Sequence, residues 1–197
     1  MGQVTRNSFQ QWEHRTGKLL RNPAILMCLV IGVGLVRPLS SRAADESLEY
    51  SVKAAFLLNF TKFIEWPASA FGAADSPMAI CILGDDPFGS TLDQIVAGEV
   101  VNGRRIVVQR IKRAPTPKSC QVLFVGNSGK DGSRIPPGLG PGVLTVGAGE
   151  DFVRDGGTIA FVIENRRVRF DINQTAAENA GLKLSSKLLN VARSVGK

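Results

Sequence analysis

The strongest hydrophobic pattern in the chain lies between Glu49 and Pro67. Apolar side chains recur there at steps of three and four residues, which predicts an amphipathic α-helix. Further apolar residues widen the buried arc, and Pro67 is expected to end the helix because the residue before a proline avoids helical geometry. A helix this apolar has to be covered on most sides, either by its own domain or by a partner. The predicted face consists of Val52, Ala55, Phe56, Asn59, Phe60 and Phe63, and the residues that widen it are Leu57, Leu58 and Ile64.

The end of this helix, Phe63 to Pro67, allows two interpretations. In the first, its residues are simply part of the first core helix of a domain. In the second, Trp66 is half exposed beside the charge of Glu65 and belongs to a binding surface, since tryptophan is enriched among the residues that dominate binding energies. The residues alone leave both interpretations open.

Downstream, short apolar runs alternate with segments of helical pattern, which predicts an α/β fold. We expect a single domain with a mixed central sheet of about five or six strands flanked by helices. Asp85 or Asp86 is expected to cap the second helix. The predicted strands are 78–83, 105–110, 121–125, 142–146, 158–163 and 168–172, and the predicted helices are 46–66, 90–97, 176–180 and 185–195.

The first 43 residues have the pattern of a secretory signal peptide. A basic segment precedes an apolar run, residues 24–36, which is shorter than the roughly 20 residues that a membrane span needs. Ser41-Arg42-Ala43 then offers small residues where a signal peptidase reads them. We expect cleavage after Ala43 or Ala44 and a mature domain of residues 44–197. The alternative is an uncleaved membrane anchor.

The positive charge of the chain belongs mostly to this N-terminal segment. The full sequence carries a net charge of +7. Residues 1–44 contribute six basic and one acidic side chain, and the remainder holds 18 basic against 16 acidic side chains. The mature part therefore gives no support for nucleic-acid binding.

Cysteine and histidine usage restricts the chemistry further. The mature part keeps Cys81 and Cys120, which in an exported chain suggests a disulfide between neighbouring strands. Two buried free thiols are the alternative. The single histidine, His14, is lost with the signal peptide, so the mature protein has no histidine for a catalytic triad or a typical zinc site.

No other motif predicts catalysis, a cofactor or a metal. Residues 84–91 imitate the spacing of a phosphate-binding loop, but Ser90 stands where the loop requires lysine. Three carboxylate pairs lie at turns and strand ends, where carboxylates ordinarily cap backbone amides. They are Asp85/Asp86, Glu150/Asp151 and Glu164/Asp171. We therefore expect a protein that is not an enzyme.

Several segments together resemble the YfiR-like family of periplasmic proteins, in order and over the whole mature chain. The resemblance covers Val52 to Pro67, Ile80 to Gly89, Cys120 to Val125, Val143 to Val146, Gly156 to Ile159, Val168 to Asn173 and Leu184 to Leu189.

This resemblance implies regulation. YfiR-like proteins are similar to a periplasmic repressor that binds the sensor domain of an inner-membrane diguanylate cyclase and that an outer-membrane lipoprotein sequesters. Cys81 and Cys120 match one family cysteine pair. A second pair found in some members falls at Val153 and Ala160, so a redox switch built on it is not expected here.

The family's proposed ligand positions fall here at Glu65, Trp66, Lys183 and Ser185, and Phe63 adjoins them. From the resemblance we predict a periplasmic inhibitor of a membrane sensor, most simply a diguanylate cyclase that controls cyclic-di-GMP and biofilm. An outer-membrane lipoprotein or a second copy of the chain is a further candidate partner. The alternative is a periplasmic module that binds a small ligand.

Overall fold

Helix α1, Ser40–Phe63, packs along one face of the central sheet. Its residues Leu57 and Phe60 have no solvent-exposed surface. The ring of Phe60 lies 5.9 Å from that of Phe161 and 5.2 Å from that of Phe170, centre to centre. The computed structural model describes residues 40–112, 119–126 and 135–196, with side chains from residue 44 onward.

The other elements follow in chain order. They are β1 (Ile64–Glu65), a 3-10 turn (Ala68–Ala70), β2 (Met78–Leu83), α2 (Ser90–Val96), β3 (Val100–Val101), β4 (Arg104–Ile111), β5 (Cys120–Val125), β6 (Leu144–Ala148), α3 (Asp151–Arg154), β7 (Ile159–Glu164), β8 (Arg167–Asn173), α4 (Gln174–Asn179), β9 (Lys183–Leu184), α5 (Ser186–Val191) and β10 (Ser194–Gly196).

Within the described residues, eight strands form one mixed sheet in the order β10-β8-β7-β6-β5-β2-β4-β3. The five strands from β4 to β7 in this order run parallel, and β8 pairs antiparallel with β7. The predicted mixed α/β fold is confirmed. The sheet has more strands than predicted because β3 and β10, with two and three residues, are too short to show a hydrophobic period.

The two central strands β2 and β5 are buried at every position. Strands that are covered on both faces have continuous apolar sequences, and these two strands are therefore easy to predict. One face packs against α1. The other face holds a second apolar cluster that includes Cys81, Leu123 and Phe152.

The main errors in the helix predictions are two helix ends and one cap. Helix α1 ends at Phe63 rather than Trp66, because Ile64 and Glu65 pair with strand β9. The last helix ends at Val191 rather than continuing to residue 195, because residues 194–196 pair with β8. Helix α2 has Gly89 at its N-cap, and the carboxylate of Asp86 instead accepts hydrogen bonds from the backbone N–H groups of the turn before it.

Residues from Ala44 onward form one compact unit. The predicted signal peptide falls almost entirely on residues 1–39, which lie outside the described residues. In the part of the chain that the structure describes, no helix has both the length and the hydrophobicity that crossing a bilayer requires.

Candidate functional site

Strands β1 and β9 form a separate antiparallel ladder that brings together the ends of two distant segments. Ile64 pairs with Leu184, and Glu65 pairs with Lys183. Glu65 and Lys183 are both exposed, so an acidic and a basic side chain lie side by side at the surface. We call Phe63, Glu65, Trp66, Lys183 and Ser185 the β1–β9 surface.

Two further contacts fix this ladder to the helices on either side. The backbone N–H of Ser185 donates to the carbonyl of Phe63 (3.0 Å), the last residue of α1. The hydroxyl of Ser185 accepts a bond from the N–H of Leu188 (3.3 Å) and so caps α5. Ser185 therefore has a structural role that a serine before a helix predicts. Phe63 is 39% exposed.

Trp66 is half-buried and fixed by its indole. Its Nε1–H donates to the backbone carbonyl of Gln121 on β5 (3.2 Å), while part of its ring packs against the core on the α1 side of the sheet. A tryptophan with a bonded nitrogen and a partly exposed ring combines a fixed orientation with apolar surface for a partner.

Gln121 connects three segments beside Trp66 through hydrogen bonds, and the sequence analysis did not identify it. Its side chain is buried, with Oε1 accepting from the N–H of Ala79 (2.8 Å) and Nε2 donating to the carbonyl of Ala70 (2.6 Å). One amide thus connects β5, β2 and the turn after Trp66. A lone polar residue inside the apolar run Cys120 to Val125 was the available signal, because buried polar groups are almost always bonded.

The disulfide between Cys81 and Cys120 is present and lies next to Gln121. Strands β2 and β5 are neighbours, and the two Cα atoms are 5.8 Å apart. The prediction of adjacent strands is confirmed. The places of the family's second cysteine pair, Val153 and Ala160, both belong to the apolar cluster on this face of the sheet.

The candidate carboxylates are held by arginines or lie exposed. Arg110 bridges Asp86 and Asp93 at the surface beside α2. Arg193 donates to the buried carboxylate of Asp171 (2.8 Å) and also pairs with Glu150. Hydrogen bonds from Arg193 lower the pKa of Asp171 despite the opposing effect of burial. A carboxylate kept ionised in this way stabilises the fold and is poorly suited to proton transfer.

Among the described residues, no cluster of three or more histidine, cysteine, aspartate or glutamate side chains could hold a metal ion.

Reducing the disulfide is expected to change the fluorescence of Trp66. The chain contains two tryptophans, and Trp12 precedes the predicted cleavage site, so Trp66 is the single reporter in the mature protein. Freeing Cys120 loosens the adjacent Gln121, whose carbonyl holds the indole, and should shift the emission to longer wavelength before global unfolding. Emission spectra with and without reductant test this. The same reductant should leave a Cys81→Ala/Cys120→Ala variant unchanged, and an unshifted wild-type spectrum with both thiols demonstrably free would contradict the coupling.

The fold is that of a small single-domain α/β protein. The chain belongs to the YfiR/HmsC-like family, whose model matches residues 50–193. Proteins of this family are periplasmic, generally non-enzymatic regulators of cyclic-di-GMP signalling.

No curated protein shows a significant match. The solved structures that match include a conserved domain protein from Vibrio cholerae O1 biovar El Tor strain N16961, at 13% identity and a TM-score of 0.39. The match covers 59% of this chain and 54% of that one, so the chain spans about half the length of that protein.

Proposed function

We propose that the mature protein binds the periplasmic domain of an inner-membrane signalling protein, a diguanylate cyclase in the first instance, and inhibits it. The observation that carries the proposal is the pairing of Glu65 with Lys183 beside the exposed ring of Phe63 and the fixed indole of Trp66. Aromatic residues are enriched at protein-binding surfaces, and the rim around them is polar.

The rigidity of this surface supports inhibition by contact. Both strands of the ladder are bonded to helices α1 and α5, and Trp66 is bonded to the central sheet. A preformed surface loses little conformational entropy on binding. It can therefore favour one conformation of a sensor domain and shift that domain away from its active state.

Reversing one exposed charge is the sharpest test, because it spares the core. Glu65→Lys and Lys183→Glu each place two like charges in register, and we expect each variant to bind the sensor domain about tenfold more weakly. Both side chains are exposed, so thermal stability should stay within roughly 0.5 kcal/mol. Glu164→Lys, an exposed change at the end of β7, is the matched control and should bind like the wild type.

The same variants give a test in cells. Deleting the gene should raise cyclic-di-GMP and biofilm, the wild-type gene and Glu164→Lys should restore the low level, and Glu65→Lys should not. If deletion leaves cyclic-di-GMP unchanged and no membrane sensor binds, the inhibitor proposal fails. A periplasmic module for a small ligand then becomes the better hypothesis, and quenching of Trp66 by ligands would test it.

The intact mass of the protein from the periplasm should correspond to a chain beginning at Ala44 or Asp45.

A further inference from the structure

The turn between β7 and β8 has a backbone conformation that its sequence does not favour. Glu164 pairs with Arg167 across the ladder, so Asn165 and Arg166 form a two-residue turn, and their φ angles are both positive, 49° and 61°. Such a turn favours glycine at its second position, and the turn between β3 and β4 has one there, in Asn102-Gly103. A left-handed conformation is unfavourable for an arginine, because its Cβ atom approaches the backbone. The turn itself therefore does not explain why Arg166 is an arginine.

Arg166 is one of three arginines at this turn, and none of the three is used by the fold. Arg166, Arg167 and Arg169 are all exposed. In the part of the chain whose side chains the structure describes, none of them forms an ion pair with a carboxylate. Arg110 and Arg193, by contrast, each pair with two carboxylates. The three guanidinium groups therefore remain available to an anionic partner.

An exposed apolar side chain lies beside these charges. Ile163 is 52% exposed and pairs with Val168. Because side chains alternate between the two faces of a strand, Arg167 and Arg169 lie on the face opposite to this pair. Residues 163–169 contain three arginines and one glutamate, a net charge of +2. We call Ile163, Arg166, Arg167 and Arg169 the hairpin patch.

We propose that the hairpin patch binds anionic phospholipid headgroups at a membrane surface of the periplasm. Guanidinium groups donate paired hydrogen bonds to phosphate oxygens, and an exposed isoleucine beside them fits the boundary between headgroups and acyl chains. A specific protein interface takes about 20–30 residues from each partner, whereas a lipid surface requires only charge and a small apolar area. A hairpin turn of seven residues fits the second requirement.

The hairpin patch and the β1–β9 surface lie at opposite edges of the central sheet. The patch begins at the carboxyl end of β7, whereas Trp66 bonds to Gln121 near the start of β5. Strands β5, β6 and β7 run parallel, and a strand of six residues spans about 20 Å. A protein that is bound to lipid through the patch therefore keeps the β1–β9 surface away from the bilayer and free to contact a sensor domain.

Binding to vesicles tests the patch by loss and by gain. Protein purified from the periplasm should cosediment with phosphatidylglycerol vesicles and not with phosphatidylcholine vesicles, because each arginine contributes about fivefold to partitioning onto an anionic surface. Replacing Arg166, Arg167 and Arg169 together by glutamine should lower the partition coefficient about a hundredfold, and Glu164→Lys should raise it at least about tenfold. Arg105→Gln is the matched control, because Arg105 is an exposed arginine near the start of β4, and it should leave the coefficient unchanged.

Arg166→Gly separates binding from folding. Glycine adopts the left-handed conformation without steric cost, so this variant should melt about 2–4 °C higher than the wild type. It should nevertheless partition about fivefold more weakly onto phosphatidylglycerol vesicles. A damaged fold cannot produce weaker binding together with a higher melting temperature. Its binding to the sensor domain should be unchanged, so failure of the lipid proposal and failure of the proposed inhibition are distinguishable.

Three results would overturn the lipid proposal. The first is equal partitioning of the wild type and the triple glutamine variant, or of the wild type onto the two kinds of vesicle. The second is displacement of the wild type from vesicles by inorganic phosphate but not by chloride at the same ionic strength, which would make the patch a site for free phosphate. The third is a triple variant that binds vesicles normally and the sensor domain more weakly, which would make the patch a contact for an acidic protein surface.

Discussion

Replacing Cys81 and Cys120 together by alanine is expected to reduce the free energy of unfolding by about 3–4 kcal/mol. The disulfide closes a loop with a sequence separation of 39 residues, and the chain-entropy model assigns most of this loss to the greater freedom of the unfolded chain. Because the bond joins the two central strands of the sheet, its loss should also lower the cooperativity of the region that supports Trp66.

The melting temperature measures this change. For a domain of this size, the loss should correspond to a decrease of about 6–16 °C. Reduction of the unmutated protein is the control, because it breaks the bond without removing the two buried sulfur atoms from the core. The reduced wild type and the double variant should melt close together. Two free thiols in denatured protein that was never reduced would contradict the disulfide itself.

The sequence predicts the central sheet well because the signal there is local. β2 and β5 are apolar at nearly every position, and burial on both faces leaves little alternative. The cysteines in these two runs suggested that the strands lie side by side, and the disulfide in the structure confirms it. The buried face of α1 was predicted less well. The structure buries Ala54, Leu57 and Leu58, whereas Val52, Asn59 and Phe63 of the predicted face are exposed.

The ends of the helices and strands could not be predicted from the sequence, because contacts between distant residues determine them. Ile64 and Glu65 continue the helical pattern of α1, yet pairing with Lys183 and Leu184 draws them into a ladder. A two-residue strand has no period of its own. Residues 194 and 195 likewise leave the predicted helix, because they pair with the edge of β8.

The β1–β9 surface also depends on a contact between distant residues. Residue patterns alone could not bring Glu65 to Lys183, more than a hundred positions away in the chain. The family resemblance selected those positions, and the β1–β9 ladder is the arrangement that makes them neighbours. Whether the surface binds a sensor depends on the partner's chemistry, which no contact inside the chain encodes.

The ion pair between Arg193 and Asp171 makes part of the protein's stability dependent on pH. Asp171 is 4% exposed, and its carboxylate receives hydrogen bonds from Arg193 that lower its pKa in the folded state. A lowered pKa means that the interaction stabilises the folded state at pH values above the pKa of the unfolded chain, about 4. This contribution is lost as the pH falls through the folded-state pKa. Arg193 also donates its backbone N–H to the carbonyl of Phe170, so the pair secures β10 at the edge of the sheet.

Asp171→Asn should therefore lower the melting temperature at pH 7 by roughly 5 °C or more, because the variant loses a buried, charge-assisted interaction. The difference from wild type should stay constant between about pH 7 and 5 and shrink below about pH 4, as Asp171 of the wild type takes up its proton. Asp151→Asn is the matched control, because Asp151 pairs with Arg154 at the surface and both side chains are more than 70% exposed. That variant should melt with the wild type at every pH. The prediction is contradicted if the melting-temperature difference between wild type and Asp171→Asn is the same at pH 3 as at pH 7. The protonated wild type would then be as much more stable than the variant as the ionised wild type is, and the shape of Asp171, not its charge, would matter.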